Sequence, residues 1–459
     1  MTLLAGLGLA GCWSMAPKYE RPASPVPTQL PGASGGEAKV AEIPWRAFVH
    51  EAKLQQIVEQ ALVRSRDLRK AVLNIEAARA QFRIQRAQQY PSIDATFAIA
   101  STRSVFPTGI GDQTATATET LYEAGVGITA WEIDLFGRLK SLSDAKQQQY
   151  LSTVETAAAT RITLVAEVMG AYLTIAADKS RLAIAKDTVE SSKRTMDLTE
   201  QLVTGGTANR ADVWQAAVLY QQARGDVALL TATIAQDRNA LELLAGGPLG
   251  DDLMPDELPA QLDWFSDVPV GLASSVLLDR PDVRAAEHDL MAANANIGEA
   301  RARFFPSLTL TANGGIASTA LGMLFSAPST VFNLLPQLAL PLFRGGANRA
   351  NLALSETQKK ILIASYELAI QTAFREVADA LATRSTIAGQ LEAQAALVDA
   401  ATKAFELSQA RYKAGVDTFL TTLVSERALY TAKSSLIATQ LSALGNRVTL
   451  YRVLGGGLK

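Results

Sequence analysis

Apolar residues recur every seven positions along four long segments of the chain. The first two rows are Val168, Ile175, Leu182, Val189, Met196 and Val203, and then Val213, Tyr220, Val227, Ile234 and Leu241. Ala171, Ala185 and Ser192 lie three residues after members of the first row, so large and small residues alternate along one seam. This spacing is typical of helices that pack along a coiled-coil seam. No proline lies between Pro107 and Pro248, so both helices can run without a break.

The other two rows lie in the second half of the chain. They are Ile363, Ile370, Val377, Leu391, Val398, Phe405 and Tyr412, interrupted only at Arg384, and Leu423, Tyr430, Ile437, Leu444 and Tyr451. A helix over 139–203 would be roughly 100 Å long, several times the length of an average globular helix. We therefore predict two pairs of very long coiled-coil helices, over about 138–245 and 345–455.

Between these helices the pattern changes to strict alternation, which predicts strands with one apolar face. The apolar positions are Ile93, Ala95, Phe97 and Ile99; Tyr122, Ala124, Val126, Ile128 and Ala130; Leu308, Leu310 and Ala312; and Phe332, Leu334, Leu338 and Leu340. Runs of about ten residues are long enough for tilted membrane-spanning strands. We predict two hairpins, at about 91–135 and 306–343.

The chain is internally duplicated. Residues 67–96 align without a gap on residues 282–311, an offset of 215, so that Arg69 matches Arg284 and Pro91 matches Pro306. The offset falls to 207 at Phe136 and Phe343 (343 − 136), so the connection in the first hairpin is eight residues longer. A period this long describes a repeated structural unit rather than a solenoid.

These observations divide the chain into consecutive parts. We expect a signal-peptide remnant at 1–11, a lipidated tether at 12–45, a first repeat at 46–245, a linker at 246–281, a second repeat at 282–455 and a tail at 456–459. The linker contains five of the 17 prolines, and it is the one Pro/Gly-rich boundary inside the chain.

Charge excludes one class of partner. The 43 basic and 45 acidic residues nearly cancel, and no basic run stands out, so the sequence does not predict nucleic-acid binding. No stretch reaches the roughly 18 uncharged apolar residues of a transmembrane helix, because Arg161 and Glu167 interrupt the most apolar region. Any membrane crossing is therefore expected to use the strands.

Four strands cannot close a barrel, and unpaired sheet edges are not tolerated in lipid. A membrane role therefore requires several chains to combine their strands. Eight strands leave an interior filled by side chains, whereas larger barrels enclose a channel. Three chains would provide twelve strands.

Cys12 is the only cysteine, and it follows Leu9, Ala10 and Gly11. An apolar run that ends in small residues before a cysteine indicates lipoprotein processing, with lipid attached to Cys12. The alternative is a free thiol. The leader lacks the positively charged start of a signal peptide, which is consistent with a natural start further upstream.

No motif indicates catalysis, a cofactor or a metal. Gly6–Gly11 matches GxGxxG and Gly32–Gly36 matches GxSxG, but the first lies in the leader and the second in the tether. His50 and His288 have no cysteine or HExxH partner, and no phosphate-binding P-loop is present.

Several stretches resemble the TolC-like outer-membrane factors, most closely the NodT-type lipoprotein branch. They are PKYERP (17–22), Trp45-Arg46, IEAARAQFRIQ (75–85) and RPDVRAAEHDLMAANANIGEARARFFP (280–306). The resemblance covers essentially the whole chain. It implies a homotrimer in which four strands per chain form a twelve-stranded β-barrel and the long helices form a hollow periplasmic α-barrel.

The resemblance also implies a periplasmic aperture at the turns within each long-helix pair, at 204–212 and 412–421. Gly206 and Gly415 are expected to make the tight turns. Asp212 and Asp417 are candidates for rings of three carboxylates, with helix N-caps or solvated turn residues as the alternative. Arg411 and Tyr412 are further candidates, through hydrogen bonds to a neighbouring helix. Unlike the acid-rich family pattern, this chain has Thr421, Thr422 and Val424 in the second turn.

The function implied is a passive duct that carries small molecules out of the cell. It would act with a periplasmic adaptor (a membrane fusion protein) and an inner-membrane transporter of the RND type. The alternatives are an exit duct for type I protein secretion and, in a different class, a periplasmic coiled-coil scaffold or adaptor.

Overall fold

A computed structural model describes residues 14–30, 43–107, 114–268, 273–326 and 329–456. Within these ranges the helices and strands follow in this order: α1 Trp45–Phe48, α2 Ala52–Arg64, α3 Arg66–Ala87, β1 Asp94–Pro107, β2 Thr114–Ile133, α4 Arg138–Thr204, α5 Arg210–Ala245, α6 Pro281–Ala302, β3 Ser307–Ser318, β4 Thr330–Ala339, α7 Ala347–Lys413 and α8 Phe419–Val453. Helices α4 and α7 are 67 residues each, as the seven-residue rows predict. Cys12 and the tip of the first hairpin, 108–113, lie outside the described residues.

The chain forms two compact units. The first, called here the sheet unit, contains the chain up to Pro22, Ile75–Thr153 and Ala286–Tyr366. The second, called the helical unit, contains Ala23–Asn74, Val154–Ala285 and the chain from Glu367 onward. Each unit is built from parts of both sequence repeats.

The sheet unit contains one antiparallel sheet in the order β1-β2-β3-β4. Its register places the predicted apolar positions on one face: Phe97 is opposite Ala124, Ala124 is opposite Ile316, and Gly314 is opposite Phe332. Polar residues such as Asp94, Glu123, Asn313, Asn333 and Gln337 share the other face. The two hairpins are joined by β2 and β3, while β1 and β4 are edge strands.

One strand departs from the predicted alternation. The pairing of β2 with β3 shifts between Ile128 and Trp131, which is a β-bulge, and Ala130 has a φ of 49° there. The Ala130 amide donates to Thr311 Oγ1 at 3.1 Å. The prediction that Ala130 continues the apolar face was therefore wrong, because a bulge reverses the facing of the residues that follow it. Trp131 takes that face instead, opposite Leu310.

The helical unit buries the predicted rows unevenly. In α7, Ile370, Val377 and Tyr412 are buried. The interruption at Arg384 has a physical reason, because its guanidinium donates to the carbonyl of Val268 in the linker. In α8 the buried members of the row are Leu423, Leu444 and Tyr451.

In the second half of α4 the large and small members of the predicted seam are not buried equally. Leu182, Val189 and Met196 are only half-buried, whereas a parallel row of small residues is buried: Ala185, Thr188, Ser192, Thr195 and Thr199. Each hydroxyl donates to the carbonyl four residues earlier in α4, as Thr199 does to Thr195 at 2.8 Å. The hydroxyls are therefore satisfied inside their own helix and allow close helix packing.

By length and composition alone, α4 contains a window apolar enough to cross a membrane, so excluding such a window because of Arg161 and Glu167 was too strict. Of that window, 44% is buried. Val165, Val168 and Met169 are among the buried residues of this helix. A helix packed inside a protein has the same composition, so the window alone does not indicate a transmembrane helix.

Candidate functional site

The turns α4–α5 and α7–α8 have the same backbone structure. In the first, Gly206 donates to the carbonyl of Val203 at 3.0 Å, and Thr207 donates to that of Leu202 at 2.9 Å. In the second, Gly415 donates to Tyr412 at 3.0 Å, and Val416 donates to Arg411 at 2.9 Å. This is the Schellman arrangement that ends a helix.

The two glycines are required by that arrangement. Gly206 and Gly415 have φ values of 76° and 72°, in the left-handed region that residues with a Cβ avoid. The structure therefore places both predicted glycines where the helices reverse direction.

Asp212 acts as part of a helix cap in this chain. Its Oδ2 accepts from the Asn209 amide at 3.3 Å, and the Asn209 side chain accepts from the Ala211 amide at 3.1 Å. Together they form a capping box at the start of α5. Asp212 is thus the third residue of α5, whose N-cap is Asn209, and the role of Asp212 at an aperture stays a proposal.

Asp417 is paired within its own turn. Arg411 donates through Nε to Oδ2 at 2.6 Å and through a terminal nitrogen to Oδ1 at 3.2 Å. This contact lowers the pKa of Asp417, chiefly through the hydrogen bond from Arg411. Thr418, the N-cap residue of α8, makes no side-chain cap hydrogen bond, so the two turns differ chemically although their backbones match.

Tyr412 joins helices from both repeats. Its ring is buried with Ala216, Leu219, Phe419 and Leu423, and it meets Phe419 edge-on with ring centres 5.6 Å apart. Its hydroxyl donates to Thr199 Oγ1 at 3.3 Å. The predicted hydrogen bond of Tyr412 to a neighbouring helix is present, whereas Arg411 bonds to its own turn.

The second turn, which has Thr421, Thr422 and Val424 in place of the carboxylates of the family pattern, is stabilised by other contacts. Thr422 is fully buried and donates to the Ser408 carbonyl at 3.2 Å. Val416, Leu420 and Val424 are exposed on this turn, as are Trp214 and Val218 in the first half of α5. Both turns therefore present apolar side chains on the outside of the single chain.

Glu426 is a buried carboxylate that the sequence analysis did not single out. It lies near a cavity of about 260 Å³ and accepts from Ser191 Oγ at 2.7 Å. Burial raises the pKa of Glu426, against the smaller opposing effects of Ser191 and Arg194. Glu426 lies three residues after Leu423, which is also a seam position in a seven-residue repeat, so its acidic side chain there is the sequence signal that the row of apolar residues overlooked.

We expect Glu426→Gln to stabilise the folded protein at pH 8 and to change little at pH 4. A raised folded-state pKa means that the folded chain holds the proton more tightly than the unfolded chain. The stability this provides is fully present below the unfolded pKa and is lost as pH rises through the folded pKa. Thermal unfolding at the two pH values measures the effect, with Glu59→Gln, in an exposed pair with Arg46, as the control. An equal shift at both pH values would contradict it.

The two histidines contact neighbouring polar groups and belong to no cluster of metal-binding side chains among the described residues. His50 contacts the linker, with Nδ1 at 2.8 Å from the Asp263 carbonyl and Nε2 at 2.9 Å from Ser266 Oγ. His288 lies 2.7 Å from Gln148 Oε1. Among the described residues, no group of three or more His, Cys, Asp or Glu side chains is placed to hold a metal.

Comparison with known proteins shows which family has this architecture. A family model described as "Outer membrane efflux protein" matches residues 57–247 and 272–456, one segment in each repeat. The solvent efflux pump outer membrane protein SrpC of Pseudomonas putida is 41% identical over 464 aligned positions, covering 100% of this chain and 98% of that protein.

Two solved structures are similar over nearly the whole chain. One, a membrane protein from Pseudomonas aeruginosa, has a TM-score of 0.89 and 40% identity, covering 97% of this chain and 98% of its own. The other, the open state of the MtrE outer membrane channel of Neisseria gonorrhoeae, has a TM-score of 0.86 and 35% identity, covering 97% and 99%. The chain therefore belongs to the outer membrane efflux protein family.

Proposed function

We propose that this outer-membrane efflux channel is the passive exit duct of a tripartite system that moves small molecules out of the cell. The observation that carries the proposal is the sheet, which is apolar on one face, polar on the other and open at both edges. Such a sheet suits lipid on one side and water on the other only when it is part of a closed barrel.

Three copies of the chain would close that barrel. Each contributes four strands, and pairing β1 of one chain with β4 of the next would leave no free edge. A barrel of twelve strands has room for a water-filled lumen. In this proposal the sequence repeats are the pseudo-equivalent parts of each subunit, joined by the linker 246–281.

We assign the turn region to the periplasmic end, where an adaptor would bind. The exposed apolar residues Trp214, Val218, Val416, Leu420 and Val424 support this, since exposed apolar clusters mark interaction surfaces. An inner-membrane RND-type transporter would supply the energy, because the chain carries no nucleotide-binding motif. Lipid on Cys12 would add a second attachment to the outer membrane.

The names of the relatives support a proposal for the substrate class. SrpC is named for solvent efflux, which favours small apolar molecules over secreted proteins. A deletion strain that carries the gene on a plasmid tests this. Restored tolerance to solvents or antibiotics supports the proposal, whereas restored secretion of a protein with unchanged tolerance would favour type I secretion. Recovery only in the soluble periplasmic fraction would favour the scaffold alternative.

We expect Asp417→Asn to increase the single-channel conductance of the purified protein in planar bilayers by several-fold. The substitution removes the charge that holds Arg411 in the turn, so the turn loosens and the narrow end widens. Asp212→Asn tests the first turn, where the capping box predicts a smaller change. Glu190→Gln, on an exposed part of α4, is the control. Unchanged conductance in both Asp variants would remove these carboxylates from the gate.

A further inference from the structure

Residues 14–22 of the N-terminal segment lie along α6, and this stretch is called here the strap. Its contacts follow one order: Arg21 and Tyr19 meet Glu287, the Pro17 carbonyl accepts from Asn294 at 2.7 Å, and the Met15 carbonyl accepts from Arg301 at 3.5 Å. The strap therefore runs antiparallel to α6. Toward its N-terminus the strap approaches the C-terminal end of α6, which is followed by β3.

The lengths of strap and helix match. From Glu287 to Arg301, α6 rises about 21 Å at 1.5 Å per residue. From Arg21 to Met15, a fully extended chain covers about 20–22 Å. The strap is therefore about as long as the stretch of α6 that it follows, and its contacts keep the same order along the whole stretch.

Glu287 accepts more hydrogen bonds from the strap than the other contacting residues of α6. Its buried carboxylate accepts from Arg21 Nε at 2.7 Å and from a terminal nitrogen of Arg21 at 2.8 Å, and the Tyr19 hydroxyl donates to it at 3.0 Å. A two-pronged arginine–carboxylate contact specifies position as well as attraction. The Arg21 pKa is raised by its hydrogen bond to Glu287.

Near the other end the helix surface is shaped to the strap. A Cβ on Gly298 would lie 2.6 Å from the Ala16 amide nitrogen and 2.7 Å from Ser141 Oγ. Ser141 is itself 3.0 Å from Ser14 Oγ. Only glycine at this position lets the strap lie directly against α6.

The duplication provides an internal comparison. Subtracting the offset of 215 from Glu287, Asn294, Gly298 and Arg301 gives Val72, Arg79, Arg83 and Arg86 in α3. Three of the four strap-contacting residues are therefore replaced in the other copy, where Arg79 lies over the Tyr150 ring at 5.7 Å. The carboxylate, the amide and the glycine belong to α6 alone, where the strap lies.

We infer that the strap is a molecular ruler and that Glu287 is its positioning residue. By fixing the register of residues 14–22 on α6, Glu287 sets how far the chain before the strap can reach toward the start of β3. Cys12 is three residues before Met15, so it is held within about 11 Å of that residue. The ruler would thereby place the lipid at the membrane end of the sheet unit. This last step rests on the proposed lipid attachment.

The test uses trypsin on the full-length protein in detergent. Lys18 is exposed and is followed by Tyr19, whereas Arg21 precedes Pro22, so Lys18 is the cleavable site in the strap. We expect Glu287→Gln to speed cleavage after Lys18 roughly tenfold, because the charged hydrogen bonds to Glu287 keep the strap bound to α6. Glu59→Gln, which breaks the exposed pair with Arg46, should leave the rate unchanged. Equal rates in Glu287→Gln and the natural protein would overturn the inference.

A second variant separates register from charge. Gly298→Ala favours the helix itself but places a methyl group where Ala16 lies, so it should also speed cleavage after Lys18. Gly389→Ala, where a Cβ meets nothing within 4 Å, is the matched control. If Gly298→Ala and Gly389→Ala are cleaved at the same rate, the strap does not depend on its fit to α6.

Lipid attachment is tested separately. Mass spectrometry of the N-terminal peptide shows whether Cys12 carries lipid, and its absence would remove the anchoring role while leaving the docked strap intact. In a Cys12→Ala background, spin labels on Lys18→Cys and Lys360→Cys report the register. One narrow distance distribution that broadens in Glu287→Gln supports the ruler, and a distribution already broad without that substitution contradicts it.

Discussion

Replacing Arg280 with alanine is expected to lower the free energy of unfolding of the helical unit by about 3 kcal/mol or more. Arg280 is buried and bonds to Asp282 at 2.6 Å, to Glu376 at 2.9 Å and to the Val453 carbonyl at 2.9 Å. Burial alone would lower the pKa of Arg280, but these carboxylates outweigh it and the pKa is raised. Removal of the guanidinium leaves Glu376 without its shorter partner and removes the hydrogen bond that Arg280 donates to the Val453 carbonyl.

Chemical denaturation of the detergent-solubilised protein measures this loss. Arg375→Ala is a suitable control, since Arg375 forms an exposed pair with Asp379 at 3.9 Å and such pairs contribute about 0–1 kcal/mol. Arg280→Lys should be intermediate, because lysine keeps the charge but lacks the planar fork that reaches two carboxylates. A loss no larger than that of Arg375→Ala would mean that Arg280 does not hold the start of α6 to α7 and α8.

Gly315→Val is expected to prevent the two hairpins from forming one sheet, at a cost of about 3 kcal/mol. Gly315 lies opposite Gly125 where β2 meets β3. A Cβ there would lie 2.6 Å from Gly125 Cα and closer still to the Ala124 carbonyl oxygen. Because the obstacle is backbone rather than a movable side chain, the strands must separate.

The adjacent glycine is the control. A Cβ on Gly314 meets nothing within 4 Å, and valine favours strands, so Gly314→Val should fold at least as well. The amount of heat-modifiable protein in outer-membrane fractions, seen by gel migration with and without boiling, measures assembly. Equal yields of the two variants would show that the β2–β3 junction tolerates a side chain at Gly315.

Much of the fold was predictable because it depends on periodicity. Rows such as Ile370, Val377 and Tyr412 predicted the length of α7, and alternation at Phe97 and Phe332 predicted strands with a shared apolar face. Gly206 and Gly415 located the turns, since a reversal of two long helices needs residues that accept positive φ. The family comparisons confirm the fold class and the outer-membrane channel that the resemblance implied.

What could not be predicted depends on contacts distant in sequence. Periodicity does not show whether the large or the small row of α4 is buried, because both have the same spacing. The bulge at Ala130 arises from pairing with β3, which lies far along the chain. Glu287 gives no sign of burial in the sequence, because its partner Arg21 is far away along the chain. The seam position of Glu426 does not show that its carboxylate bonds to Ser191 of another helix.

The candidate aperture residues also depend on contacts that the sequence does not show. Asp212 and Asp417 were chosen because both are acidic and close to a turn, yet one is engaged by Asn209 and the other by Arg411. A single chain satisfies both carboxylates locally. Their part in closing the channel therefore depends on the conductance measurement proposed above.

The unequal starts of α5 and α8 predict that the two turns differ in mobility. A helix that begins without a side-chain cap frays more readily at its first turn, so α8 should exchange its first amide hydrogens faster than α5, which starts with the Asn209 box. In an assembly of three chains, firm and loose turns would then alternate around the rim. In the proposed channel, movement at this end would then start at the three α7–α8 turns rather than at all six turns.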